Sequence, residues 1–398
     1  MLVISRRFWP DGGGAELATH RIVDLLARGE EYAITVATGT RNPARTRNVN
    51  FITHPGLGMI GKPSSWLHSW LPSVQACFGR LMKRFDLVYI CQSYPFIPLA
   101  KHLDCRVVVH LHDYQPISYN SIVMAPAFRQ HLDPLNQIFS EAKFEIFEHQ
   151  SPFKAFTGSL LAPTVKLYRH WINEADAVIC VSRRQAIILS HFAHELGAKI
   201  RIAHNPLPPV SLIEKKDVSR PPFLYAGGDS YVKGFRTFLD ASQKLLQKNP
   251  DVRFILTKEF RATNMRLLNR LNAISGGLYT LSGHVGYDEL MKLRSITRGL
   301  IFPSIWEETW GYAVMEALLS GTIAISSRVG GVVELVEGTS AEDYLFEPGN
   351  ADDLANKMTK VASFSSAELS DVGKELRESI LSKYDTGSIR QDLLAALE

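Results

Sequence analysis

Short apolar runs alternate along this chain with amphipathic stretches of helical period, and turn residues separate them. In the first half the runs "LVIS" (2–5), "AITVAT" (33–38), "DLVYIC" (86–91), "CRVVVHLH" (105–112) and "DAVICVS" (176–182) read as strands. Between the first two, "GAELATHRIVDLLARG" places positions 17, 18, 22, 25 and 26 on one helical face, and Gly29 ends it. A Pro-rich, charged stretch, "HNPLPPVSLIEKKDVSRPPF" (204–223), reads as a linker. The rhythm then restarts: "FLYAGG" as a strand, a helix from Gly234, "VRFILT", a helix, "LYTLSGHV", a helix, "GLIFPS", a helix and "TIAISS". Strands alternating with helices predict two parallel α/β layered units, with no internal repeat and no low-complexity segment.

Composition narrows the class without naming a function. At 398 residues the chain is too long for one ordinary core and suits two domains. Its 45% hydrophobic and 21% charged content is ordinary for a soluble globular protein. No run approaches the ~20 apolar residues of a membrane span, and Met1 leads directly into the first strand, so neither a leader nor a span is expected. Cys77, Cys91, Cys105 and Cys180 show no metal spacing. They are expected as free thiols, mostly buried, in a reducing compartment, which makes a cytoplasmic location the expectation. Net charge is +4. Residues 1–199 hold 21 Lys and Arg against 15 Asp and Glu, and the rest hold 23 against 25, so the halves are +6 and −2. That bias is too weak for a nucleic-acid partner, but it suits an anionic acceptor or membrane face as well as it suits plain solvated surface.

In an open parallel sheet, ligands bind beyond the carboxyl ends of the strands, where helix N-termini point. Four post-strand loops carry candidate chemistry. "GGG" (12–14) follows the first strand, and its glycines let backbone N–H groups approach an anion; the spacing is not GxGxxG, so no dinucleotide fingerprint is met. "YAGGDSYVKGFRTFLDA" (225–241) puts Lys233 just before a helix start, within reach of a phosphate. "IFPSIWEETWGYAVMEALLSGTIAISS" (301–327) carries Glu308 and Glu316 around a helix start near Gly311. Backbone N–H groups of Trp310, Gly311 and Tyr312 are candidates for phosphate oxygens, and the two acids for sugar and ribose hydroxyls. Acids at a helix N-terminus are favourable in themselves, so the loop placement and Gly311 are what tip this stretch toward function. "VVVHLHDYQP" (107–116) aims His112 out of a strand tip, a weaker signal, since such a histidine is usually structural. No DxD occurs, so no metal-holding acidic pair is expected, and no acyl-transfer arrangement is convincing.

The spacing E-x7-E in "EETWGYAVME", followed by "VGGVVELVEG" and "YLFEPGNADDLANKM", resembles the retaining nucleotide-sugar glycosyltransferases of family GT4. "FWPDGGGAE", "HDY", "ADAVICVS", "IAHNPLP" and "KG" extend the resemblance over nearly the whole chain in order. It implies the GT-B fold: two Rossmann-like domains facing across a cleft. The first, 1–205, would bind the acceptor, and the second, 206–379, the nucleotide sugar, with a last helix at about 380–398 packing back on the first. The implied activity is transfer of a sugar from a nucleoside-diphosphate sugar to a glycan or lipid-linked acceptor, with retention and without metal or cofactor. Glu308 would contact the transferred sugar, Glu316 the ribose and Lys233 the diphosphate. Thr309 to Tyr312 would help hold sugar and phosphates, and Val285, closing "LSGHV", would lie by the base. His112 would lie near the reacting sugar, and Gly13 and Gly14 would close over the donor. The alternatives are a GT-B epimerase and a weakened homologue that only binds sugar nucleotide.

One departure from the pattern matters. The family carries an Arg a few residues before the "KG" lysine, and here Gly228 stands in its place. Lys258 of "LTKEF", or Arg261, is the candidate replacement, with Lys258 preferred because it follows the next strand. The stretch 57–85 mixes Trp66, Leu67, Trp70 and Leu71 with Lys83 and Arg84; such a pattern more often packs a helix on its own domain, but with the basic loop "RNPARTR" (41–47) it keeps peripheral contact with the inner membrane face in view.

Overall fold

A computed structural model describes residues 1–59, 61–129 and 133–398, so Ile60 of the stretch 57–85 lies outside the described residues. The chain divides into two compact units, residues 1–123, 130–207 and 385–398 in one and 124–129 and 208–384 in the other.

The first unit is built on β1 (Leu2–Ser5), β2 (Ile34–Thr38), β3 (Val49–Thr53), β4 (Leu87–Cys91), β5 (Arg106–Leu111), β6 (Ala177–Cys180) and β7 (Ile200–Ile202). All pair in parallel in the order β3-β2-β1-β4-β5-β6-β7. The five expected strands form within a residue or two of their apolar runs, and β1, β2 and β4 are buried throughout. The edge strand β3 alternates partly and fully exposed residues and so offers no apolar run. Its helices are α1 (Gly14–Ala27), α2 (Lys62–Ser69), α3 (Pro72–Met82), α4 (Ile97–His102), α5 (Pro134–His149), α6 (Pro152–Leu161), α7 (Val165–Glu174) and α8 (Arg183–Phe192). In α1, Leu17, Ala18, Ile22, Leu25 and Leu26 are buried, as the helical pattern predicts. Trp66 of α2 packs on Tyr168 and Trp171 of α7 and donates its indole N–H to the Tyr168 hydroxyl, while Leu67, Trp70 and Leu71 remain exposed.

The second unit holds β8 (Phe223–Tyr225), β9 (Phe254–Thr257), β10 (Tyr279–Gly283), β11 (Gly299–Phe302), β12 (Ile323–Ser327) and β13 (Leu345–Phe346) in the parallel order β10-β9-β8-β11-β12-β13. Helices α9 (Phe235–Lys248), α10 (Ala262–Ser275), α11 (Tyr287–Leu293), α12 (Tyr312–Leu319), α13 (Gly330–Val336), α14 (Ala351–Ala362) and α15 (Ser366–Lys383) complete it. The chain then returns to the first unit as α16 (Thr386–Leu397), where Arg390 meets Glu31 and the Leu397 carbonyl accepts from Arg106.

Two features of the second unit were not legible locally. The Pro-rich stretch read as a linker is strapped down. Lys215 Nζ donates to the carbonyls of Arg294 (2.7 Å) and Thr297 (3.0 Å) and to Thr322 Oγ1 (2.9 Å), and burial pulls its pKa down to about 7. Met124–Arg129, from the midst of the first half, also belongs here: Met124 forms an antiparallel bridge with Trp306, and the Ala125 N–H donates to the Ile305 carbonyl at 3.0 Å.

Candidate functional site

In the second unit, three loops at the carboxyl ends of β8, β9 and β11 carry most of the candidate residues. Buried β11 runs out at Pro303, and the chain turns through Ser304–Gly311 before α12 starts with Gly311 as its N-cap at φ +98°. The glycine pair opening α13 explains why this turn is so compact. A Cβ at Gly330 would lie 1.9 Å from the Glu308 carbonyl oxygen, and one at Gly331 would lie 2.3 Å from that of Thr309. Only glycine lets α13 press on this backbone, and the Gly331 N–H reaches the Glu308 carbonyl at 2.7 Å.

Glu307 and Glu308, adjacent in sequence and both buried, have different tasks. Glu307 is a brace: its two carboxylate oxygens accept the Ala127 N–H at 2.7 Å and the Gly330 N–H at 2.8 Å. Glu308 turns to Lys233. The Lys233 ammonium donates to Glu308 Oε1 at 2.6 Å, the Ser304 hydroxyl donates to the same oxygen at 2.7 Å, and the ammonium sits 5.3 Å from the Trp306 ring centroid. An ammonium, a carboxylate and an aromatic face thus meet beside a helix N-terminus, an arrangement suited to hydroxyls and to phosphate oxygens.

Glu316, on the second turn of α12, is 5% exposed and held at both oxygens. The Tyr287 hydroxyl donates to Oε1 at 2.8 Å, and the Arg294 guanidinium, 1% exposed, approaches Oε2 at 3.4 Å. Burial draws the Arg294 pKa down while Glu316 draws it up, so each partner compensates the other's desolvation. Val285 is half-buried in the loop between β10 and α11, two residues before Tyr287. Trp310 is 2% exposed and its ring packs edge-on against Tyr384, so its side chain belongs to the core and leaves the backbone as its contribution. Thr309 and Tyr312 are buried beside it.

At the end of β8, Gly228 is buried at φ +63°, and a Cβ there would touch the Cβ of Lys258 at 3.4 Å. Lys258 is itself left-handed, at φ +73°, with its N–H on the Gly283 carbonyl at 2.6 Å. A non-glycine residue in that region costs ~1–2 kcal/mol. Arg261 braces the same loop: its Nε and backbone N–H donate to Asp229 Oδ2 at 2.9 and 2.8 Å, and Nη2 donates to the Asp229 carbonyl at 2.6 Å. Of the two cations proposed for the gap at Gly228, Lys258 packs against that glycine and Arg261 is engaged in the Asp229 brace.

The first unit carries the remaining candidates. Gly13 caps α1, and Gly13 and Gly14 are exposed; Glu16 reaches back so that its Oε2 accepts the Gly13 N–H at 2.8 Å. A carboxylate of the chain itself therefore occupies an amide expected to meet an anion. His112, one residue past β5, is buried and stacks on His110 with centroids 4.5 Å apart; burial lowers its pKa to about 4, so the ring is neutral at pH 7. Sequence reasoning missed Tyr287, Arg294, Ser304 and Asp229. Each acts through a partner distant in sequence or through a backbone turn, and no spacing announces it.

A family model described as Glycosyltransferase Family 4 matches residues 12–210, and one described as Glycosyl transferases group 1 matches residues 220–363. The chain is 33% identical over 111 residues, 28% of its length, to an uncharacterized 42.6 kDa protein in the cps region of Klebsiella pneumoniae. It is 31% identical over 150 residues, 36% of its length, to a probable glycogen synthase of Methanocaldococcus jannaschii. These matches span only 27% of the length of each relative. Among solved structures, it is similar to Anabaena HepE in complex with UDP and glucose, at TM-score 0.66 and 17% identity over 100% of this chain and 98% of that one. A sucrose-phosphate synthase from Thermosynechococcus elongatus is also similar, at TM-score 0.70 and 17% identity over 99% and 97%. Likeness over whole chains at that identity shows the fold, two Rossmann-like α/β domains of the GT-B type.

Proposed function

This chain belongs to the glycosyltransferases of group 1 and family 4, and from that membership we propose that it moves a sugar from a nucleoside-diphosphate sugar to a glycan or lipid-linked acceptor. The observation that carries the proposal is the Lys233–Glu308 contact of 2.6 Å at the start of α12. Lys233 is one-third exposed and can turn its ammonium to a diphosphate, leaving Glu308 to accept from hydroxyls of the transferred sugar. Glu316, fixed in place by Tyr287 and Arg294, reads the ribose hydroxyls with its remaining lone pairs. As the glycosidic bond breaks, negative charge builds on the leaving diphosphate, and Lys233, Lys258 and the backbone N–H groups at the start of α12 stabilise it in place of a metal ion. Retention is part of the proposal, by a front-face route with an oxocarbenium-like transition state. His112, neutral at pH 7, enters as a hydrogen-bonding partner of the sugar rather than as a cation. Gly13 and Gly14 complete the set of donor-contacting residues in this proposal.

Uridine is the first base to try, because HepE is described in complex with UDP-glucose. Thermal-shift titration with UDP, GDP, ADP and their common sugars tests the reading. We expect stabilisation by one base, lost in Glu316→Ala. No shift with any nucleotide rejects the donor site. Normal donor binding without turnover over a broad acceptor panel points instead to a weakened, binding-only homologue, a reading that the missing cation at Gly228 favours.

A further inference from the structure

Helix α5 has sixteen residues, and among those described the one whose side chain is buried is Glu141. Leu135, Phe139, Ile146 and Phe147 form an exposed outer stripe, with Leu135 68% and Phe139 70% exposed, while Ile138 and Phe144 are half-buried. Antiparallel to it in sequence order, after a turn at Gln150 and Ser151, α6 adds Phe153, Phe156 and Leu160 at helical spacing, exposed by 76%, 65% and 64%. At about 200 Å² per aromatic side chain, the phenylalanines 139, 153 and 156 alone present on the order of 400 Å² of apolar surface. The other stripe residues extend it beyond the ~300–600 Å² typical of the largest patch on a soluble monomer. Such a face is too costly to leave in water without a partner.

The charges around the stripe identify the partner. Lys143 stands within the stripe of α5, four residues beyond Phe139 and four before Phe147, and is exposed; Lys154 in the first turn of α6 and Lys166 at the start of α7 are exposed too. Most of the acids are turned from the stripe: Glu141 is buried under Gly158, Glu145 holds His149 at 2.6 Å and Glu148 is half-buried, while Asp133 is exposed as the N-cap of α5. At the root of the hairpin a cleft of about 410 Å³ is lined by Lys166, Arg169 and His191 together with Asp133 and Gln137. A lysine inside an apolar stripe is unfavourable at the dry centre of a protein–protein interface, where lysine is depleted. At a bilayer it is easily placed, because its stem lies among the acyl chains and its ammonium rises to the phosphates. Among the described residues no helix is long and apolar enough to cross a membrane, so the contact is with the surface of one leaflet.

We propose that the α5–α6 hairpin is a membrane-docking face for anionic phospholipid, with Phe139, Phe153, Phe156 and Leu160 entering the acyl boundary and Lys143, Lys154 and the cleft cations meeting lipid phosphates. The site differs from the 57–85 stretch that sequence alone pointed to, whose Trp66 is taken up by packing on α7. It goes beyond the proposed sugar transfer and does not depend on it.

The test is co-sedimentation of the full chain with phosphatidylcholine vesicles and with vesicles half phosphatidylglycerol, at low salt and at ~0.5 M salt. Wild type should pellet with the anionic vesicles, and Phe153→Ser/Phe156→Ser should weaken binding by about tenfold or more. Lys143→Glu/Lys154→Glu should weaken it several-fold at low salt and little at high salt. Both variants change exposed side chains, and an unchanged melting temperature verifies their fold. Equal binding by wild type and both variants overturns the proposal, as does no binding to anionic vesicles. A dimer seen by light scattering and broken by the phenylalanine variant assigns the face to a second copy of the chain and also overturns it. Donor-nucleotide titration on the same samples reports separately on the sugar-transfer site.

Discussion

Two buried glutamates show what burial does to a carboxylate. Glu316 and Glu141 both sit on helices, at 5% and 2% exposure. On α12 seven of eight residues are buried, and Glu316 finds a guanidinium and a phenol there. On α5 Glu141 is the sole buried residue among those described. It has hydrogen bonds from Asn120 and the more distant charge of Lys62, and its Oε1 finds no donor. Desolvation therefore wins at Glu141 and pushes its pKa up to about 7. The difference lies in the partner supplied, not in the depth of burial. A carboxylate with a buried cation is fixed as an acceptor, whereas one without such a cation titrates near neutrality.

Removing the partner of Glu316 should have the largest effect. Arg294→Met leaves an uncompensated buried carboxylate, and chemical denaturation should show a loss of about 3–5 kcal/mol. The double variant Arg294→Met/Glu316→Gln should recover most of that stability without recovering nucleotide binding; a double variant as unstable as the single one would mean that the pair is not what stabilises the unit.

Glu141 gives the opposite sign. Its folded pKa lies above the unfolded value of 4.5, so the folded state binds more protons between pH 4.5 and about 7. Stability on its account is then present at low pH and lost as pH rises through that window. Glu141→Gln should flatten this dependence and stabilise the protein at pH 8 by about 1–3 kcal/mol. Equal stability of the two proteins from pH 5 to 8 would show that Glu141 stays charged.

The smallest effect is at Lys258. Its left-handed backbone is strained for any side chain, so Lys258→Gly should raise stability by up to about 1 kcal/mol. If its ammonium replaces the cation missing at Gly228, the same variant should weaken nucleoside-diphosphate binding severalfold. A gain in stability with unchanged affinity would leave Lys258 a purely structural oddity.

Much of this architecture was written locally. Apolar runs such as "LVIS" and "LVYIC" are strands because a parallel sheet covered by helices wants both faces apolar, and a period near 3.6 marked α1. The loop with Glu307 and Glu308 stood out for its place between a strand and a helix, and the family resemblance rested on neighbouring residues at fixed spacing. β3 escaped notice because an edge strand needs no continuous apolar run. Tertiary structure alone decided the pairings. It brought Lys233 to Glu308 across 75 positions, Arg294 to Glu316 across 22, and the Ala127 amide to Glu307 across 180. It also decided that Trp66 is packed while Phe153 is bare. The physical reason is one of range. Propensity and periodicity act between neighbours and are written in the order of the residues. A buried charge takes whichever partner the folded chain brings within a few ångströms, and that partner has no fixed distance in sequence.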